Sequence, residues 1–444
     1  MLEWFAKTPS FPGAMQIVRR LHEFGHQALF AGGCVRDALL LVSPHDIDIA
    51  TDATPKEMAD LFPENITPVG AQFGVSLVVL DGTPHEVVTF RRDGRYLDGR
   101  HPQAITFSTP EEDALRRDFT INGMFYDPLT GQVMDYVGGQ EDLRRKILRA
   151  IGDPFVRFEE DKLRLLRAVR FACHLDLTME EGTRTAVIAL AHSVGQVSAE
   201  RLRDELLKII TGPGSARGLR LMEELGLLPA ILPEVHAMVG VAQPPEYHPE
   251  GDVFVHTCLL FEHARERSPV LAMAMLLHDV GKPPTFTIKE RIRFDNHVNV
   301  GADMTEVIGR RLKFSNDEIE QMADLVRNHL QFMHVREMRE STLKRFLRKP
   351  NFPDHLELHR LDCLASHGDL SNWSFCRKKI AALPPEAMAP PRLITGDHLL
   401  AIGFKPGPLF KEILALIEDA QLEGQITDEA SALALVEREF GHRR

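Results

Sequence analysis

The sequence predicts an α+β chain in which a head built on a small mixed sheet is followed by an all-helical remainder. Three observations predict it. Helix and strand signals alternate from the N-terminus to about Asp142. Beyond that point strand signals almost vanish and apolar residues recur at helical spacing, as in Leu163, Leu166 and Val169 or Leu202, Leu206 and Ile209. The length of 444 residues also exceeds what one hydrophobic core usually serves, so the chain should be modular.

Residues 14–24 read as an amphipathic helix, and Gln27 to Ala31 as a short strand ending in Gly32-Gly33. A helix from Val35 to Leu41 follows, and then a strand through Asp46-Ile47-Asp48-Ile49. Thr54-Pro55-Lys56-Glu57 opens the next helix, with Thr54 as N-cap and Glu57 completing a capping box. The β-branched runs Gly74 to Leu80 and His85 to Phe90 flank Asp81-Gly82 and predict a hairpin. The Pro-containing stretches Gln243-Pro244-Pro245 and Pro384 to Pro391 read as punctuation, giving segments 1–141, 142–242, 243–383 and 384–444.

With 44% hydrophobic and 26% charged residues, the composition is that of a soluble globular protein. The apolar run Leu271 to Leu277 falls far short of the roughly 20 residues that span a bilayer, so no membrane association is expected. The opening Met1-Leu2-Glu3-Trp4 has no basic region ahead of an apolar one, which predicts no secretion signal. The cysteines Cys34, Cys173, Cys258, Cys363 and Cys376 form no CxxC pair, which argues against a disulfide framework or Cys-rich zinc site and points to the cytoplasm. A net charge of −12 means that any contact with a polyanion must be local. Arginines do cluster, at Arg91, Arg92, Arg95, Arg100, Arg116 and Arg117 and again from Arg144 to Arg170.

A glycine pair leaving a strand and entering a helix lets backbone N–H groups approach phosphates, and Gly32-Gly33 followed by Val35-Arg36-Asp37 fits that arrangement. Asp46 and Asp48 lie two apart on the predicted strand, so both carboxylates project from one face, where they could hold Mg²⁺. Such an ion lowers the pKa of an attacking hydroxyl and neutralises a triphosphate. Each signal alone is a common turn or strand end; in this order, about a dozen residues apart, they are a specific combination.

Ala31 to Asp37 together with Asp46-Ile47-Asp48-Ile49-Ala50-Thr51 resembles the first signature of the bacterial tRNA nucleotidyltransferases and poly(A) polymerases. Arg91 to Pro102 is similar to that family's flexible loop, Arg116-Arg117-Asp118-Phe119-Thr120-Ile121-Asn122 resembles its RRDFTIN motif, and Gly152 to Arg164 looks like the segment that selects the incoming base. The match runs through residues 30–175, with one small departure at Gly123, where Ala is common. The resemblance implies a polymerase-β-like nucleotidyltransferase head with Asp46 and Asp48 as Mg²⁺ ligands, Arg117 on the triphosphate and Asp118 in the ribose and hinge region. Glu86, on the following strand, is a candidate third carboxylate or an exposed strand residue.

Asp161 and Arg164 sit three apart in a helical stretch and should share one face. Cytosine and adenine each present an amino donor beside a ring-nitrogen acceptor, whereas uracil and guanine present a keto group beside an N–H. One carboxylate acceptor next to one guanidinium donor therefore suits CTP and ATP. The alternative is an ordinary surface ion pair.

The second half holds His256, then His278-Asp279 within Leu276 to Lys282, then His297, His329 and Asp362. Imidazoles and a carboxylate suit a divalent transition metal, and an open position on it could activate water. In this spacing they resemble the HD phosphohydrolase domain that many tRNA nucleotidyltransferases carry, with His256, His278, Asp279 and Asp362 as the implied ligands. His297 and His329 serve a second metal, bind phosphate, or are satisfied polar residues. Leu393 to Leu400 with Gly403 to Pro408 resembles the C-terminal segment of the HD-containing members, where a helix after Pro408 would meet RNA or simply pack.

The resulting expectation is a nucleotidyltransferase head (1–141), a helical neck for base selection and RNA binding (142–242), an HD domain (243–383) and a helical tail (384–444), acting on tRNA with CTP and ATP to add CCA. Poly(A) or A-only addition is the alternative within the family. A phosphohydrolase with a degenerate head is the alternative outside it.

Overall fold

The computed structural model describes residues 1–67, 74–94 and 105–444, so part of the predicted flexible loop, from Arg95 to Pro102, lies outside the described residues. The chain divides into two compact units, Met1–Pro233 and Glu234–Arg444.

Among the described residues the head carries nine strands: β1 (Ala28–Ala31), β2 (Ile49–Thr51), β3 (Ile66–Thr67), β4 (Val75–Leu80), β5 (Thr83–Thr89), β6 (Arg91–Asp93), β7 (Ile105–Phe107), β8 (Met124–Asp127) and β9 (Gln132–Asp135). Seven of them form one mixed sheet in the order β3-β4-β5-β2-β1-β8-β9, and β6 and β7 form a separate pair. Within the large sheet β2 runs parallel to β5, and the other neighbours are antiparallel. Every residue of the central strands β1 and β2 is buried, while β4 alternates between half-buried and buried positions. Phe30, Phe90 and Phe125 are fully buried, and each such side chain contributes roughly 1.5–3 kcal/mol relative to exposure.

The predicted hairpin is present: β4 and β5 close at Leu80 opposite Thr83, with φ of 48° at Asp81 and 76° at Gly82, the two positive values a type I′ turn needs. The capping box at Thr54 and Glu57 is formed in both directions. The first amphipathic helix runs Phe11–Glu23 rather than from residue 14, because Pro12 sits in its first turn, where a missing N–H costs nothing. The next runs Gly33–Leu39 and is followed by Leu41 at a φ of 61°, which ends it before the predicted boundary. The strand predicted through Asp46 to Ile49 begins only at Ile49.

The longer helices of the rest of this unit are Pro154–Glu160, Arg164–His174, Glu181–Leu190, Ala199–Thr211 and Ser215–Glu224. Arg170 Nε meets Glu205 Oε1 at 2.5 Å between two of them, with both side chains largely buried. The head is tied to this helical part through Asp118, whose Oδ2 accepts from Arg167 Nε at 2.8 Å and Nη2 at 2.5 Å.

The second unit is helical apart from the short antiparallel pair Phe286–Ile288 and Ile292–Phe294, too short for alternation to register in the sequence. The helix Pro269–Leu277 has Leu271 to Leu277 buried at every position, which explains the apolar run without a membrane. Among the described residues no helix is long and apolar enough to cross a membrane. Near the C-terminus Phe404, Ile413, Ile417, Val436 and Phe440 form a core of their own. Arg345 and Arg348, on and just after the helix Glu340–Leu347, join that core to the rest of the unit through Glu418 and Asp419.

Burial alone would raise the Asp118 carboxyl, but Arg167 and Asn122 hold it at about 2, below its ordinary 3.8. A depressed carboxylate stabilises the fold fully above its unfolded value and loses that contribution as pH falls through its folded value. Asp118→Asn should therefore lower the stability of the first unit by about 2 kcal/mol at pH 7 in urea unfolding. The gap to the unsubstituted protein should close as the pH falls from 3.8 towards about 2.

Candidate active sites

In the first unit the glycine turn, the acidic segment and the arginine motif converge. Gly32 caps the helix Gly33–Leu39 with φ 73° and ψ −126°, a backbone state that only glycine adopts without strain. A Cβ there would also stand 2.8 Å from Nη1 of Arg117. The turn thus brings the Arg117 guanidinium against the main chain at Gly32.

Asp46 and Asp48 sit on the extended approach to β2 rather than on the strand itself. The Asp48 carbonyl already accepts from Ala31 N at 3.0 Å, but regular pairing starts one residue later. The predicted shared face survives, because Ile47 between them is buried while Asp46 is exposed and Asp48 half-buried. In the parallel register Ile49 pairs with Val87, so Asp48 lies beside Glu86 on β5. Burial pushes the Asp48 carboxyl up to about 6, Asp46 and Glu86 push in the same direction, and Arg117 opposes them. Three carboxylates gathered in this way, two of them raising the proton affinity of the third, form a site that a divalent cation would relieve.

Asp113 organises the arginine motif, a role that the sequence did not reveal. It is 1% exposed in the helix Pro110–Leu115. One of its oxygens accepts from Arg116 Nε at 2.8 Å and the other from Arg117 Nη2 at 3.0 Å. A single buried carboxylate thereby spaces two guanidiniums. Arg117 Nη1 also donates to the Asn122 carbonyl at 3.4 Å, and its guanidinium lies 5.0 Å over the Phe125 ring. From the glycine-turn helix, Arg36 Nη1 donates to Asn122 Oδ1 at 2.7 Å, and Asn122 Nδ2 donates to Asp118 Oδ1 at 3.1 Å. Arg36, Asn122, Asp118 and Arg167 form one continuous chain. Gly123, the departure from the familiar motif, has a local reason: a Cβ there would lie 2.7 Å from Val137 Cγ2 and 3.1 Å from Ile151 Cδ1.

Asp161 and Arg164 do not share one helix face. Asp161 has φ −145° and ψ 103° and separates the helices Pro154–Glu160 and Arg164–His174. Its Oδ1 accepts from Leu163 N at 3.1 Å, and its Oδ2 accepts from Arg201 Nη2 at 2.8 Å. Arg164 Nη1 donates to the Arg157 carbonyl and to Glu160 Oε2, each at 2.8 Å, and Nη2 donates to the Arg116 carbonyl at 3.3 Å. Helical spacing misled here because the acceptor Asp161 stops one helix by taking the N–H of the residue two ahead, an Asx turn. Arg201, contributed by the helix Ala199–Thr211, carried no signal in the sequence.

In the second unit His256, His278, Asp279, His297, His329 and Asp362 come together. His256 lies in the first turn of the helix Val253–His263, capped by Asp252, and His278 ends the helix Pro269–Leu277. Asp362 comes from the helix Phe352–Ala365, His297 opens the helix His297–Arg311, and His329 follows the helix Asn316–Asn328. His256 Nε2 is 3.0 Å from Asp362 Oδ1, and His278 Nε2 is 3.2 Å from Asp279 Oδ2. His256, His278 and Asp362 form one group able to hold a metal, and Asp279, His297 and His329 form another. Gly281 is fixed by close approach, since a Cβ would stand 2.2 Å from the His297 carbonyl oxygen.

Sequence reasoning missed Glu250, Lys282 and Gln243 at this centre. Glu250 Oε1 lies 2.7 Å from His256 Nδ1, and Lys282 Nζ lies 2.7 Å from Asp279 Oδ2 and donates to Gln243 Oε1 at 2.6 Å. Burial would depress His256, but Asp362 and Glu250 hold it up at about 9, so a metal ion bound there would displace its proton. Burial pushes His329 down to about 4, with His278 acting in the same direction, and burial also lowers His297. Both stay neutral near pH 7, the form in which imidazole can ligate a metal.

Three family models match the chain: the poly A polymerase head domain over residues 28–149, the probable RNA and SrmB-binding site of polymerase A over 176–239, and the HD domain over 252–356. A CCA-adding enzyme of Geobacillus thermodenitrificans is 43% identical over 220 residues, covering 49% of this chain and 54% of that protein. The chain thus spans about half the length of the relatives it matches at this level. A CCA-adding enzyme of Bacillus cytotoxicus is 29% identical over 425 residues, 95% of this chain and 97% of that one. Among solved structures, the Bacillus stearothermophilus CCA-adding enzyme in complex with CTP aligns with a TM-score of 0.75 at 27% identity, covering 98% of this chain and 99% of that one. The Thermotoga maritima CCA-adding enzyme complexed with tRNA shares the fold with a TM-score of 0.63 at 19% identity, over 99% of this chain and 98% of that one. The head, RNA-binding and HD models thus match in this order along one chain, the chain carries the domains that they describe, and over its length it is similar to the CCA-adding enzymes.

Proposed function

We propose that this chain adds CCA to the 3′ end of tRNA from CTP and ATP in the cytoplasm, and that its HD centre is a metal-dependent phosphohydrolase. The observation that carries the first part is the carboxylate group of Asp46, Asp48 and Glu86 beside the glycine turn and Arg117. Within the chain we assign residues 1–141 to the transferase head, 142–242 to the neck, 243–383 to the HD domain and 384–444 to the tail.

Asp46 and Asp48 are the ligands for Mg²⁺, with Glu86 beside them. The bound ion supplies Lewis-acid stabilisation of the triphosphate and lowers the pKa of the 3′-hydroxyl. Gly32 and Gly33 let the main chain approach the phosphates, and Arg36 and Arg117 supply positive charge beside the turn. Asp118 holds the head against the neck helix and stays ionised.

For base selection Asp161 is the acceptor for the exocyclic amine shared by C and A. Arg164 carries five N–H donors, of which its bonds to the Arg157 and Arg116 carbonyls and to Glu160 use three, so it keeps donors for the ring nitrogen while its main-chain contacts hold it in place. In the HD centre, His256, His278, Asp279 and Asp362 are the ligands for a divalent transition metal.

The test of the transferase reading supplies tRNA lacking CCA with CTP, ATP or both and sequences the products. The expected product is CCA and nothing longer, with incorporation of both nucleotides abolished in Asp46→Ala or Asp48→Ala of unchanged circular dichroism. Long A tails, or near-normal incorporation by either variant, would overturn it.

Asp161→Ala should relax the preference for C and A over U and G about ten- to a hundred-fold, since one oriented polar contact is worth roughly 1–3 kcal/mol. Single-nucleotide incorporation of all four nucleotides measures this, and an unchanged preference removes Asp161 from base selection. His278→Ala should lose metal-stimulated hydrolysis of 2′,3′-cyclic phosphates or phosphomonoesters while nucleotide addition persists. Loss of both in a folded variant would contradict independent centres.

A further inference from the structure

The helix Pro110–Leu115 leads directly into the arginine motif, and the carbonyls where it ends accept from the base-selecting segment. Arg157 Nη2 donates to the Leu115 carbonyl at 2.8 Å, and Arg157 Nη1 donates to the Arg116 carbonyl at 3.1 Å. Arg164 Nη2 donates to that same Arg116 carbonyl at 3.3 Å. Carbonyls at a helix end have no intrahelical partner and favour positive charge, so two guanidiniums there are well placed. The Arg116 carbonyl belongs to the peptide bond that leads into Arg117. On the same helix, Asp113 accepts from the side chains of both Arg116 and Arg117.

Arg157 also grips the other side of the junction. Its Nε donates to the Ile151 carbonyl at 3.1 Å, and its own carbonyl accepts from Arg164 Nη1 at 2.8 Å. Glu160 Oε2 accepts from Nη1 of Arg157 and from Nη1 of Arg164, each at 2.8 Å. One side chain, 14% exposed, therefore touches the main chain of the arginine motif and the groups that fix Arg164. A planar guanidinium can span two successive carbonyls in a set geometry, which an ammonium cannot.

This arrangement gives a wrong base a mechanical consequence. Cytosine and adenine turn a ring-nitrogen acceptor to the Arg164 donors, whereas uracil and guanine turn an N–H to them, donor against donor. A displaced Arg164 loosens its bond to the Arg116 carbonyl, and the peptide leading into Arg117 is disturbed with it. Arg157, holding that carbonyl and the one before it, sets the position from which the disturbance counts. We propose that Arg157 is a positioning residue that couples base reading at Arg164 to triphosphate alignment at Arg117, so that a wrong base is rejected mainly in the transfer step rather than in binding. Misalignment of reacting groups acts on kcat. The proposal rests on the reading of Asp161 and Arg164 as the base selector.

The test measures kcat and KM separately for CTP and for UTP on tRNA lacking CCA, with the unsubstituted full chain, Arg157→Ala, Arg157→Lys and Asp161→Ala. In the unsubstituted chain the preference for CTP should lie mostly in kcat. In Arg157→Ala the ratio of the two kcat values should fall about tenfold, the worth of one oriented polar contact, with the ratio of KM values unchanged. Arg157→Lys, which keeps the charge and loses the fork, should lie between them. An equal fall in kcat for both nucleotides, the outcome of a purely structural role, overturns the coupling alone, and so does a change confined to KM. An unchanged preference in Asp161→Ala overturns the base selector and the coupling with it. If Arg157→Ala does not fold, Arg157→Lys supplies the same comparison of ratios.

Discussion

An ionised carboxylate with little access to water, Asp118, is the constraint on which the first unit depends. It is 7% exposed and accepts from Arg167, Asn122 and the main-chain N–H of Phe119. Each donor serves a different part of the unit. Arg167 belongs to the helical part, Asn122 to the contact with Arg36, and Phe119 to the core under the motif. Burying a charge is expensive unless every lone pair is used, and here the required donors are also the groups that must be held in register. The cost of dehydrating one carboxylate is thus turned into geometric precision around the glycine turn.

Asp113 repeats this logic a few residues earlier. Its two oxygens divide between Arg116 and Arg117, so the motif's adjacent arginines, which would repel if free, are kept at a fixed spacing. The acidic residues of the candidate metal site do the opposite. Among the described residues Asp46, Asp48 and Glu86 are not shared out between guanidiniums in this way: Arg117 acts on Asp48, but burial and like charge outweigh it and leave a cation to relieve them. In the head, neutralised carboxylates build the frame, and the crowded ones mark the candidate metal site.

What was legible in the sequence follows from range. The capping box at Thr54 and the Asp81-Gly82 hairpin are decided by residues within a turn or two, and both stand in the structure as the sequence predicts. The strand through Asp46 was not legible, because whether an extended segment becomes a strand depends on its neighbour's register. Asp161 and Arg164 failed for a related reason, since an Asx turn broke the helix that their spacing assumed. Arg201 acts on a residue brought from elsewhere in the fold, Asp113 and Glu250 lie beside a motif without belonging to it, and Lys282 closes the HD segment with a role that shows only once Gln243 is brought to it. Nothing in their own neighbourhood announces that.

Gly281 gives the helical centre a property of its own. The backbone at that residue passes so close to the His297 carbonyl and to Gly301 that no side chain fits between them. The segment carrying His278 and Asp279 and the helix carrying His297 are therefore in main-chain contact, and no intervening layer of side chains can repack. Random substitution elsewhere in the core can be absorbed by rotamer changes; at this seam it would have to move His278 and Asp279 bodily away from His297. Position 281 is a mechanical fuse for the centre, a site where the smallest chemical change, a single methyl group, has the largest geometric consequence.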